Sequence, residues 1–179
     1  MALMVFKNKI LSLTGFIFLF SFSSCLERET YPETPAIEFD SFTPDGISAK
    51  LRISFTDGDG DVGLNEDQTE APYNEGSYYH YNYYVEYWEW NHDIQQWQIG
   101  KNALGDDVIF SYRVPDLTPA GKNKALKGII EVDMDEYYNS DPSAVYSDTI
   151  KYRLKLIDRS LKESDWVFSP EIWNGIVQN

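Results

Sequence analysis

The chain is short of cysteine, histidine and positive charge. A single cysteine, Cys25, excludes an intrachain disulfide and any clustered-cysteine zinc or iron–sulfur site. Two histidines, His80 and His92, leave little for zinc or for histidine-based catalysis, and both read as surface or rim residues. Lys and Arg number 15 against 29 Asp and Glu, a net charge of −14. That balance argues against nucleic acid, whose phosphates need Lys and Arg to release their counterions, and against a polybasic membrane patch. No serine nucleophile elbow, phosphate loop or dinucleotide motif is present, and Asp57-Gly58-Asp59-Gly60-Asp61-Val62-Gly63 lacks the glycine order of the last. The acids are numerous enough that a glycosidase-like pair arises by chance, and a solvated acidic surface explains them more simply. The sequence therefore points away from an enzyme.

What is present is aromatic and apolar in an ordinary globular proportion. Of 179 residues, 42% are hydrophobic and 16% aromatic, with 13 Tyr, 10 Phe and 5 Trp. The length suits one folded domain.

Lys7 and Lys9 precede an apolar run from Ile10 to Phe22, broken only by Ser12, Thr14, Gly15 and Ser21. The run is shorter than the ~20 residues that a membrane-spanning helix needs, and it matches the apolar region of a secretory signal. Phe22-Ser23-Ser24-Cys25 resembles the lipobox of bacterial lipoprotein signals, with Phe22 standing where an aliphatic residue is usual. The resemblance implies cleavage before Cys25, lipidation of its thiol and attachment to the outer membrane, facing the periplasm or the cell surface. An ordinary cleaved signal and an uncleaved anchor are the alternatives. Several acyl chains together hold a protein stably, at ~0.8 kcal/mol per buried CH₂. Loss of residues 1–24 removes Lys7 and Lys9 and leaves 13 basic residues against 29 acidic, a net of −16. Residues 25–35, rich in Glu and Pro, read as a tether, and 36–179 as the folded domain. The acidic stretch after Cys25 resembles the surface-export signals of Bacteroidetes lipoproteins.

In the folded part the apolar residues alternate with period two. Leu51, Ile53 and Phe55 alternate with Lys50, Arg52 and Ser54, and Ile150, Tyr152, Leu154 and Leu156 with Lys151, Arg153 and Lys155. Similar patterns mark Ile37 with Phe39, Val108 to Val114, Ile130 to Met134 and Trp166 with Phe168, with turn residues between. One short helical turn is expected within 133–146. Short strands at this spacing predict an all-β fold, a single antiparallel β-sandwich, with a β-barrel as the alternative.

Two constellations stand out. Asp57, Asp59 and Asp61 place three carboxylates on a glycine-freed loop at a strand end, the oxygen-rich and flexible donor set that suits calcium. The loop starts like an EF-hand, but Val62 stands where that loop needs glycine and Gln68 where it needs glutamate. Further ligands have to come from Glu66, Asp67 or, from the late strand, Asp158. The alternative is a plain Gly/Asp turn with solvated acids. The segment Ser54 to Leu64 resembles a motif of Bacteroidetes lipoproteins, and Leu156 to Ser164 resembles the closing strand and turn of their immunoglobulin-like or fibronectin-type domains. The resemblance implies a β-sandwich lipoprotein and brings no biochemical role and no catalytic residues.

The second constellation is Tyr78 to Trp90. As one strand it puts Tyr79, Tyr81, Tyr83, Val85 and Tyr87 on a core face. Tyr84, Trp88 and Trp90 then share the other face, with Trp97 returning beside them after a turn at Asn91 to Ile94. Rings beside carboxylates and amides can hold a sugar or an envelope protein partner. The alternative is that these residues fill a large sheet, where Tyr and Trp have high β-propensity.

Overall fold

The computed structural model describes residues 29–46, 48–135, 148–173 and 176–178. Cys25, the signal and residues 136–147, which include most of the predicted helical turn, lie outside them. The fold is all-β. Among the described residues ten strands follow in order: β1 (Ala36–Asp45), β2 (Ser48–Asp57), β3 (Tyr83–Asn91), β4 (Gln96–Ile99), β5 (Ile109–Tyr112), β6 (Leu126–Met134), β7 (Thr149–Leu156), β8 (Val167–Phe168), β9 (Ile172–Trp173) and β10 (Ile176–Val177). Among the described residues no helix is long and apolar enough to cross a membrane.

The strands form two antiparallel sheets. The smaller has the order β1-β2-β6. The larger runs β10-β9-β7-β3-β4, with β5 also on β3 and β8 also on β7. Because β4 and β5 share one edge of β3, and β8 and β9 one edge of β7, the larger sheet is five lanes wide, the outermost being the short β10 on β9. The two sheets do not join edge to edge among the described residues, so the architecture is a sandwich and not a closed barrel. Apart from the two-residue β10 at the rim, three antiparallel lanes face four, the strand distribution of an immunoglobulin-like sandwich.

The alternation in the sequence is what closes the sandwich. Leu51, Ile53 and Phe55 of β2 and Tyr152, Leu154 and Leu156 of β7 are all buried in one shared core. Phe42 of the small sheet meets Tyr152 of the large one at 5.6 Å between ring centres. Strand β1 keeps this pattern only by a bulge between Phe39 and Ser41. Strict alternation would put Ser41 inward; the extra residue lets Phe42 pair with Leu51 and take the core position.

The aromatic run departs from the single strand expected. Strand β3 starts only at Tyr83, and Tyr78–His80 form a 3₁₀ turn capped by Ser77, whose hydroxyl accepts from Tyr79 N–H. Tyr83, Val85 and Tyr87 are core residues, but Tyr79 is not buried and Tyr81 is exposed. The reason lies in the backbone partners. Asn82 is buried and uses its side chain to hold Val114, accepting from Val114 N–H at 2.6 Å, while Arg113 donates to His80 O at 2.6 Å. These contacts fix a bend just before the strand.

Candidate functional site

Strand β2 ends at Asp57, still paired with Leu126 of β6, and the chain then turns sharply. Gly58 and Gly60 are required there by close backbone approach. A Cβ on Gly58 would lie 2.2 Å from Tyr31 O, and one on Gly60, whose φ is +73°, would lie 2.0 Å from Lys124 O. Gly58 N–H donates to Pro32 O at 2.8 Å, so residues just ahead of β1 lie on this loop. Val62 then enters the core, fully buried, and bridges to Asp158 just beyond β7. The turn after Asp158 is tight: Asp158 N–H donates to Lys162 O at 3.0 Å, and Leu161 adopts a φ of 66°.

These two strand ends bring Asp57, Asp59, Asp61 and Asp158 together. One oxygen from each carboxylate lies within 4.8 Å of the others. Glu66 and Asp67, the other candidates near the loop, are not in this group. The four aspartates share a pattern. In each, one oxygen is engaged by the protein: Asp57 Oδ2 accepts from Gly60 N–H at 2.8 Å and Asp61 N–H at 3.1 Å. Asp59 Oδ2 accepts from Lys162 Nζ at 2.5 Å, Asp61 Oδ2 from Ser160 Oγ at 2.5 Å, and Asp158 Oδ1 from Lys162 N–H at 2.8 Å. In each, the other oxygen (Asp57 Oδ1, Asp59 Oδ1, Asp61 Oδ1, Asp158 Oδ2) is buried and has no hydrogen-bond partner. Asp57 and Asp158 are themselves almost fully buried, at 0% and 1% exposure. A buried acceptor without a donor is costly, more so when it carries charge.

The electrostatics follow. Burial, then the charges of Asp59 and Asp61, push the Asp57 carboxyl up to about 6 despite its two backbone donors. Burial chiefly, with Asp61 and Asp57 adding, pushes Asp158 up to about 7. At Asp59 burial works upward, but the hydrogen bond and the charge of Lys162 help to outweigh it and hold the carboxyl below its ordinary range. Among the described residues Lys162 is the one cation bonded to the group, and it is shared with Glu33 at 3.2 Å. The neighbouring Arg159 turns away and pairs with Asp116 through both nitrogens, at 2.6 and 3.3 Å. The cluster can hold a metal ion: four convergent oxygens with a large excess of negative charge are a donor set for a hard cation.

The aromatic candidates lie elsewhere. Trp90 and Trp97 face each other across the β3–β4 hairpin, with ring centres 5.6 Å apart. Trp88 sits two residues along on the same face, donating from Nε1 to Glu86 Oε2 at 3.0 Å. Tyr84 shares the face but is taken up locally, its ring stacked on Tyr78 at 5.1 Å and its hydroxyl bonded to Tyr78 O. Residues that the sequence reading did not include complete the face: Lys151, Arg153 and Phe168, brought in by the pairing of β7 with β3 and β8. No family model, curated protein or solved structure matches the chain.

Proposed function

We propose that the chain is a non-enzymatic binding or structural module of the bacterial cell envelope, held on the outer membrane by lipid at Cys25, with its sandwich locked by calcium at Asp57, Asp59, Asp61 and Asp158. The observation that carries the cation is the set of four buried, unpartnered oxygens, one per carboxylate, two of them on residues with essentially no solvent exposure. An ion supplies what these oxygens lack and offsets a like-charge repulsion that one lysine does not. Calcium fits better than magnesium, because the loop is glycine-flexed and calcium tolerates irregular oxygen shells. The role is structural because the second oxygen of every aspartate already serves the fold: those of Asp59 and Asp61 tie the β2 loop to the turn after β7, that of Asp57 holds the loop and that of Asp158 holds the turn.

Titration calorimetry on the purified protein, stripped with EDTA, tests the reading. Calcium binds at one ion per chain, magnesium binds more weakly, and Asp158→Asn weakens calcium binding by about tenfold or more, since it removes one charged ligand. A flat titration contradicts the proposal. For the anchor, radiolabelled palmitate labels the native protein in cells and does not label Cys25→Ala.

A further inference from the structure

All five tryptophans of the chain lie off the core. The core draws its aromatic volume from Phe and Tyr, among them Phe42, Phe55, Tyr83, Tyr87 and Tyr152. The tryptophans are instead gathered on the outward face of the larger sheet. Trp88 and Trp90 project from β3 and Trp97 from β4. Trp166 precedes β8, and Trp173 in β9 pairs with Thr149. Phe168 and Trp173 are 44% and 50% exposed. Folding does not require indoles there, and a gathered surface of this kind marks a place where something docks.

Cations run down the middle of the same face. Lys151, Arg153 and Lys155 alternate along β7, spaced ~6.7 Å apart by the strand geometry. Each lies against rings: Lys151 Nζ is 4.1 Å from the Trp97 ring centre and 4.4 Å from that of Phe168, Arg153 is 4.3 Å from Trp166, and Lys155 Nζ is 4.5 Å from Trp166. Arg153 is paired with Glu86 at 3.3 Å and Lys155 with Glu163 at 2.6 Å. Lys151 has no ion pair among the described residues and is partly withdrawn from water between its two rings. It is a pre-positioned positive charge flanked by aromatic surface.

We propose that this face binds an acidic glycan, with sugar rings resting on Trp88, Trp90, Trp97 and Phe168 and a carboxylate or sulfate of the glycan taken by Lys151. Rings alternating with polar groups at a two-residue period match a polymer whose repeating units are flat, apolar on their C–H faces and rimmed by hydroxyls. A protein partner fits less well, because charged residues are depleted at the centres of protein interfaces and here they occupy the central lane. A nucleic acid carries a phosphate at every unit and is repelled by a chain with net charge −14, whereas a sparsely charged glycan meets less repulsion and brings an occasional acid to Lys151, the cation of this lane without an ion pair among the described residues. The face is independent of the aspartate cluster: Lys151 precedes Asp158 by seven residues, about 20 Å along an extended chain.

Affinity electrophoresis of the purified protein, with calcium present throughout, tests the proposal. The gels contain carboxymethyl cellulose or dextran sulfate, each of low substitution, their neutral counterparts hydroxyethyl cellulose and dextran, or single-stranded oligothymidylate. At least one anionic glycan retards the protein and its neutral counterpart does not. Lys151→Gln and Trp97→Ala each lower the affinity about tenfold while the melting temperature stays close to that of the parent. Phe168→Ala, at an exposed ring, replaces Trp97→Ala if that variant fails to fold. Lys50→Gln, on the other sheet, binds as the parent does. Any of four results overturns the proposal: no retardation by either anionic glycan, equal retardation by the neutral counterpart, retardation that survives Lys151→Gln, or equal retardation by oligothymidylate.

Discussion

The aspartate cluster and the tryptophan face hold charge in opposite ways. On the tryptophan face two of the three cations have carboxylate partners and all three lie against rings, so the groups there satisfy one another. In the cluster four acids converge on one another, the one lysine ammonium bonded to them among the described residues pairs with Asp59 alone, and each acid keeps a buried oxygen without a donor. The first arrangement is stable with the residues it has. The second lacks a partner within the chain, and burial makes that lack expensive. A dense group of like charge is informative when its members are buried and individually unsatisfied; an exposed one is not.

The contrast sharpens first with pH. In EDTA, Asp57 and Asp158 keep their protons in the fold up to about 6 and about 7, while the unfolded chain releases them near 3.8. The folded state therefore binds more protons between those limits, and stability falls as pH rises from about 4 to about 7, by several kcal/mol in all. Calcium favours the ionised carboxylates and flattens this dependence. Denaturant melts at pH 5 and pH 8, with and without calcium, measure it. Next, Gly60→Ala forces a Cβ to 2.0 Å from Lys124 O at a left-handed φ of +73°, and is expected to cost about 2–3 kcal/mol and to weaken calcium binding. On the other face the effects are smaller. Arg153→Ala removes the pair with Glu86 and the contact with Trp166, about 1–2 kcal/mol by chemical denaturation, because the Glu86 side chain is only 14% exposed. The smallest is Lys50→Gln in the small sheet: its partners Glu131 and Asp133 are solvated, and stability changes by less than about 0.5 kcal/mol.

Much of this was legible in the sequence where the chemistry is local. Alternation at Leu51 to Phe55 and Ile150 to Leu156 marks the inner faces, and the glycines between Asp57, Asp59 and Asp61 mark a loop that curls. Asp158 was readable as a fourth ligand because it follows a strand that must lie in the same sandwich. What resisted reading depends on pairing between distant strands. The bulge that turns Phe42 inward exists because β1 must stay in step with β2. The 3₁₀ turn at Tyr78 follows from Asn82 and Arg113 holding backbone groups across the sheet. Phe168 meets Lys151 and Trp88 only through the register of β7 with β3 and β8. Lys162 joins Asp59 through a turn whose left-handed residue, Leu161, carries no glycine to announce it.

The central claim is that a cation completes the cluster, and thermal unfolding in EDTA and then in millimolar calcium tests it most directly. A ligand that binds only the folded state at a hundredfold excess over its Kd adds about 2.7 kcal/mol, which for a domain of this size raises the melting temperature by about 5–10 °C. The account predicts that rise for the parent and its loss in Asp59→Asn. An unchanged melting temperature in the parent, or an equal rise in Asp59→Asn, would contradict it.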